Sequence, residues 1–244
     1  MVMVNRACAE KISRHIGENM TQLLASISSM EEAQIALKAS VGILDMKDPS
    51  QGALGALDER TIDEIVRLVS GTCISSATVG DLPADPEVVL KKTQAIAKLG
   101  VNYIKVGMFG SDWLLKCLPV LKTITTNVNL VGVLFADYFN DLSGPCHLLK
   151  SAGFAGIMVD TANKKNGSVR TVKSDAELSD FVKTAQSNGL LCGIAGSLKY
   201  QDIKPLLKMT PDYLGFRTAL CENHQRQGDL SAAMIQKIAT QLRQ

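Results

Sequence analysis

The sequence predicts a single (β/α)8 barrel, and three observations carry that expectation. Eight short β-type runs alternate with longer amphipathic helical runs. The length of 244 residues is typical of one closed α/β barrel. The competing doubly wound sheet lacks its signature, since no G-x-G-x-x-G follows the first strand and Ser26-Ile27-Ser28-Ser29 holds no glycine.

Consecutive parallel strands need helical crossovers, and eight such units close around a packed interior. The strands read Gln22–Ile27, Gly42–Lys47, Cys73–Val79, Tyr103–Met108, Leu130–Ala136, Gly156–Thr161, Leu191–Ala195 and Tyr213–Thr218. Between them, Ile62, Ile65, Val66 and Val69, or Leu178, Phe181, Val182 and Ala185, recur at helical spacing. Asp175 is the expected N-cap of the helix beginning at Ala176, with Gly189 at its C′ position, and Gly71, Gly100 and Gly153 stop their helices in the same way. Residues 1–20 form an N-terminal helical extension and residues 21–244 the barrel; the extension suits either the barrel bottom or a subunit contact, so a homo-oligomer stays open.

Composition narrows the function. With 46% hydrophobic and 20% charged residues the chain can bury a sizeable core. Its apolar runs, such as Leu130–Ala136, are far shorter than the roughly 20 residues a membrane span needs. Arg6, Glu10, Lys11, Arg14 and Glu18 break up any apolar signal region, so a cytoplasmic protein is expected. Twenty-six basic and 24 acidic residues are spread without a basic run, which speaks against nucleic acid. Six cysteines without a C-x-x-C pair suggest reduced packing residues, and His15, His147 and His224 have no ligand spacing, so no metal is expected.

In such barrels the active site lies at the C-terminal strand ends. Strand two ends in Asp45-Met46-Lys47, strand four contains Lys105 between Ile104 and Val106, and strand six ends in Asp160 followed by Lys164 and Lys165. Asp45 and Lys47, two apart, share a strand face, and strands of the same parity bring Lys47, Lys105 and Asp160 to similar height. A structural ion-pair cluster is one reading. Carbonyl chemistry is the other, because a neutral lysine amine attacks carbonyls and a second nearby ammonium, by repulsion of roughly 3 kcal/mol, keeps it neutral. Gly196-Ser197 after strand seven and Arg217 after strand eight match the usual phosphate cradle of the fold; Gly196-Ser197 also fits a plain helix cap. Weaker candidates are the Gln51–Gly55 amides for a further phosphate contact, Thr78 and Asp81 as pocket hydrogen-bonding groups, and Asp137 as a site or capping residue.

Six motifs, in order and on the expected strands, resemble one family: Asp45-Met46-Lys47-Asp48-Pro49, Gln51-Gly52-Ala53-Leu54-Gly55, Ser76-Ala77-Thr78-Val79-Gly80-Asp81, Tyr103-Ile104-Lys105-Val106-Gly107, Asp160-Thr161-Ala162 with Lys164, and Ala195-Gly196-Ser197. They are similar to the 4-(hydroxymethyl)-2-furancarboxaldehyde-phosphate synthases of methanofuran biosynthesis. The resemblance implies a lyase that joins two glyceraldehyde 3-phosphate molecules, with loss of phosphate and two waters, and needs no cofactor. It assigns Lys47 as the Schiff-base lysine and Lys105 as a proton acceptor, with Asp45, Asp160 and Lys164 at further active-site positions. The chain departs from the family in its N-terminal segment, in Lys165 doubling Lys164, and in Thr218 where relatives carry glycine. Two other functions use the same residues: a Schiff-base aldolase acting on another sugar phosphate, and a non-catalytic barrel that only binds sugar phosphates.

Overall fold

The computed structural model describes residues 20–164 and 167–243. Eight parallel strands close into a barrel in which each strand pairs with the next and β8 pairs with β1. They are β1 Gln22–Ile27, β2 Ile43–Met46, β3 Ile74–Thr78, β4 Tyr103–Met108, β5 Leu130–Phe135, β6 Gly156–Asp160, β7 Leu191–Ile194 and β8 Tyr213–Phe216. The helices are α1 Met30–Lys38, α2 Glu59–Val69, α3 Pro86–Ala97, α4 Ser111–Lys122, α5 Gly144–Ser151, the short α6 Val169–Val172, α7 Asp175–Ser187, α8 Ile203–Leu207 and α9 Ala232–Leu242. β1 and β4 have the predicted bounds. The other six end one or two residues early, because the chain leaves the ladder where it turns into the barrel mouth.

Alternation along the strands divides the apolar residues into two layers. One set, including Leu44, Met46, Ile104, Val106, Val159 and Ile194, packs against the helices. The other, including Leu24, Ile43, Val131, Val133, Phe135, Met158, Ala195 and Tyr213, fills the barrel. Gly193 is required in this interior: a Cβ there would lie 2.1 Å from the Tyr213 ring.

Local capping explains several joins. Ser29 caps α1 and Asp58 caps α2 through side-chain acceptance of a backbone N–H. The expected cap at Asp175 is corrected by one residue. Ser174 caps α7, in a capping box with Glu177, because that pair satisfies two helix-end donors reciprocally while Asp175 pairs with Arg170. Gly189, Gly71, Gly100 and Gly153 all take positive φ as expected. The predicted helix over residues 1–20 lies outside the described residues except for its last one. Among the described residues no helix is long and apolar enough to cross a membrane.

Candidate active site

The inward alternation that fills the lower barrel with apolar side chains places charge at its upper end. Lys47, Lys105, Asp160 and Lys164 line one cleft of about 420 Å³, together with Gly196, Ser197, Arg217 and Arg226. Asp45 lies beneath the cleft and joins it through Lys105. Lys105 Nζ donates to Asp45 Oδ2 at 2.7 Å, and Ser26 and Ser76 donate to the same carboxylate at 3.1 and 2.6 Å. Asp45 is fully buried and Lys105 is 2% exposed, so β2 and β4 meet across the interior as a satisfied ion pair. On β6, Lys164 Nζ donates to Asp160 Oδ1 at 2.5 Å, and the backbone N–H of Thr161 donates to that oxygen at 2.7 Å. Lys165, the alternative to Lys164, lies outside the described residues.

Two lysines are thus paired with two carboxylates. Lys47 is the third, buried at 6% exposure, and its amine forms no hydrogen bond or ion pair among the described residues. Its pKa falls from 10.5 to about 7. Burial is the main cause. Asp160 opposes it, Lys164 and Lys105 add to the depression, and Asp45 opposes again. Repulsion between lysines, the cause expected from the sequence, is therefore secondary, because each neighbouring ammonium carries its own counter-ion. Burial is also the largest influence on Asp160 and acts to raise its pKa, but Lys164, Lys47 and the hydrogen bonds outweigh it and hold the carboxyl below its ordinary value.

The loop from Asp48 to Leu57 follows Lys47 directly. Its tip packs Ala53 and Leu54 into the interior cluster beside Phe109 and Phe135. Asp81 accepts the N–H groups of Ala53 and Leu54 at 2.8 and 2.9 Å, and Thr78 donates to the Gly55 carbonyl at 2.9 Å. Gly52 turns there with φ +104°, and a Cβ would meet Asp81 Oδ2 at 2.1 Å. Thr78 and Asp81 therefore hold the loop rather than line the cleft. The loop amides expected to offer a phosphate contact are committed internally at Gln51, Ala53 and Leu54. Asp137 likewise accepts the Ala162 N–H at 2.5 Å and steadies the chain leaving β6.

At the far wall, Gly196 and Ser197 take positive φ, and the N–H groups of Ser197 and Leu198 have no partner among the described residues. Paired with cations, such unbonded amides suit an anion. Arg217 lies in the cleft wall, and four hydrogen bonds use four of its five N–H groups: to Glu32 at 2.6 Å, Ser26 O at 3.2 Å, Arg226 O at 2.9 Å and Gly228 O at 3.2 Å. Its bonds tie α1 to the segment after β8, so most of the guanidinium expected to hold a phosphate is engaged within the protein. Sequence reasoning missed Arg226, which lines the same cleft and donates to Pro49 O and Gly52 O, each at 2.9 Å. It lies nine residues past Arg217 in an irregular segment, so no strand-end rule points to it.

Comparison with known proteins places the fold and the family. The barrel resembles the solved phosphoribosyl anthranilate isomerase of Thermus thermophilus, with a TM-score of 0.66 at 12% identity over 91% of this chain and 98% of that one; this shows the fold alone. A relative from Methylorubrum extorquens is 35% identical over 222 residues, covering 91% of this chain and 92% of its own. The (5-formylfuran-3-yl)methyl phosphate synthase of Methanopyrus kandleri is 32% identical, covering 91% of this chain and 98% of its own. The enzyme of the same name from Methanosarcina mazei is 34% identical, covering 91% and 97%. Residues 23–239, nearly the whole barrel, match the pattern of one family, and the chain belongs to it: the 4-HFC-P synthases.

Proposed function

We propose that this barrel condenses two molecules of glyceraldehyde 3-phosphate into (5-formylfuran-3-yl)methyl phosphate through an imine at Lys47. Loss of one phosphate and two waters from two trioses leaves the furan aldehyde phosphate with no net oxidation. The observation that carries the reading is the state of Lys47. Among the described residues it is the unpaired amine in the cleft, buried, with a pKa near 7, flanked by two lysine–carboxylate pairs. A neutral amine so placed attacks an aldehyde, and the resulting imine yields an enamine that serves as the carbon nucleophile. The later eliminations and ring closure each move a proton. Lys105 with Asp45, and Lys164 with Asp160, supply the acid and base groups within reach of the cleft. The unbonded Ser197 and Leu198 amides suit the substrate's phosphate.

The test is incubation with glyceraldehyde 3-phosphate, following ultraviolet absorbance and inorganic phosphate together, with borohydride trapping alongside. A conjugated furan product, one phosphate per furan and a triose-phosphate mass on the Lys47 peptide are expected. Lys47→Arg keeps the charge and should abolish both label and turnover. An acyclic product would point to an aldolase instead, and a label on Lys105 or Lys164 would exchange the roles. Furan formation without any labelled lysine would rule out the covalent route.

A further inference from the structure

A doubly charged phosphate entering a partly desolvated cleft needs a cation whose charge is not already cancelled. Among the described residues lining this cleft, Lys105 is offset by Asp45, Lys164 by Asp160 and Arg217 by Glu32. Lys47 is consumed if it forms the imine. Arg226 differs from all of these. It makes no ion pair among the described residues, and its two hydrogen bonds to carbonyls leave three of its five N–H groups unused. It is half-buried, and burial is the first influence weakening its charged form, with Arg217 adding to it and Asp160, Asp81 and Asp48 opposing. A guanidinium held in that state gains from an anion. Its position is built rather than incidental. Arg217 donates to the carbonyls of Arg226 and Gly228, fixing the backbone from below. The Arg226 side chain then reaches over to the loop following Lys47, at Pro49 and Gly52.

Resting on the reading of a phosphorylated substrate, we propose that Arg226 is the cation that holds the substrate phosphate, together with the Ser197 and Leu198 amides, while its bonds to Pro49 and Gly52 tie the loop after Lys47 to the occupied site. Arg217 acts one step removed, as the positioning residue that presents Arg226.

Inorganic phosphate is the probe, measured by titration calorimetry on the resting full-length protein, with KM for glyceraldehyde 3-phosphate measured separately. Arg226→Gln should weaken phosphate binding and raise KM by about 10- to 100-fold, the worth of a charge-assisted hydrogen bond pair, with a smaller change in kcat. Arg226→Lys should recover part of both by restoring the charge. Phosphate binding unchanged in Arg226→Gln overturns the proposal, and so does a wild-type protein that binds no phosphate at millimolar concentration. A loss that Arg226→Lys does not partly restore assigns the effect to a loosened loop and overturns it equally. Because calorimetry does not depend on turnover, absence of furan product alongside the expected phosphate results would count against the proposed reaction and leave the role of Arg226 standing.

Discussion

If Lys47 attacks as a neutral amine, its rate of imine formation should depend on pH in a way no ordinary lysine can match. With a folded pKa of about 7, the neutral fraction is about a quarter at pH 6.5, about half at pH 7 and nearly complete at pH 8.5. The rate should therefore rise about fourfold between pH 6.5 and 9.5 and level off near pH 8, whereas an unperturbed lysine would gain about a thousandfold over the same range. Staying above pH 6.5 keeps the substrate phosphate largely doubly ionised, so its own titration near pH 6 does not distort the profile. The assay is rapid mixing with glyceraldehyde 3-phosphate, borohydride quench at set times, and mass-spectrometric counting of the modified Lys47 peptide. A rate still climbing tenfold per pH unit at pH 9 would show that burial does not depress this amine, and the reasoning would fail with it.

Two further outcomes follow from the same charges. Between the folded pKa of about 7 and the unfolded value of 10.5, the unfolded chain binds a proton at Lys47 that the folded chain does not, so wild-type stability should rise with pH through that window. Below it the protonated amine costs up to about 5 kcal/mol; Lys47→Met should thus be more stable than wild type by several kcal/mol at pH 6 in urea unfolding, and a lead that does not shrink toward pH 10 would contradict this. Lys105→Met strands the fully buried Asp45 with two serine donors and no cation, which should cost about 3–5 kcal/mol in the same measurement, while adding Asp45→Leu should return much of it.

The sequence revealed the barrel because strand and helix periods differ, and eight alternations leave few arrangements open. It also located Lys47, Asp45, Lys105, Asp160 and Lys164 by one geometric rule, since strand ends of a barrel converge whatever the loops do. What it could not reveal was pairing. That Lys105 belongs to Asp45 and Lys164 to Asp160, leaving Lys47 alone, depends on side-chain reach across the interior. Spacing along the chain does not encode that reach. The two arginines show the same limit. Arg217 sits where the fold usually holds phosphate, yet Glu32 on α1, 185 residues away in sequence, claims it. Arg226 is placed by a loop whose path is set by that very tether. Six of the expected strands run one or two residues too far at their C-terminal ends because the mouth residues keep the β-type composition after the ladder has ended, and β2 and β3 also start one residue later than expected.

The pairing pattern also bears on why the substrate should be a phosphate ester. Among the described residues of the resting cleft, three lysine or arginine charges are matched by three carboxylates, and the unmatched groups are Lys47 and Arg226. Burial keeps Lys47 largely uncharged above pH 7, which favours attack but would disfavour the protonated imine that must follow. A phosphate carrying about −1.5 to −2 charges, held at Arg226, reverses that preference, because it supplies counter-charge for one further cation. Asp160, kept ionised beside Lys164, acts in the same direction on Lys47. On this account an aldehyde without phosphate should be attacked by the same amine yet accumulate little protonated imine. Borohydride trapping with glyceraldehyde should then give far less labelled Lys47 than trapping with its 3-phosphate at concentrations saturating for each. Adding inorganic phosphate should recover part of the difference in the wild type but not in Arg226→Gln. Equal labelling by the two aldehydes would mean that the cleft stabilises the cationic imine with its own carboxylates alone, and that the phosphate serves only to hold the substrate.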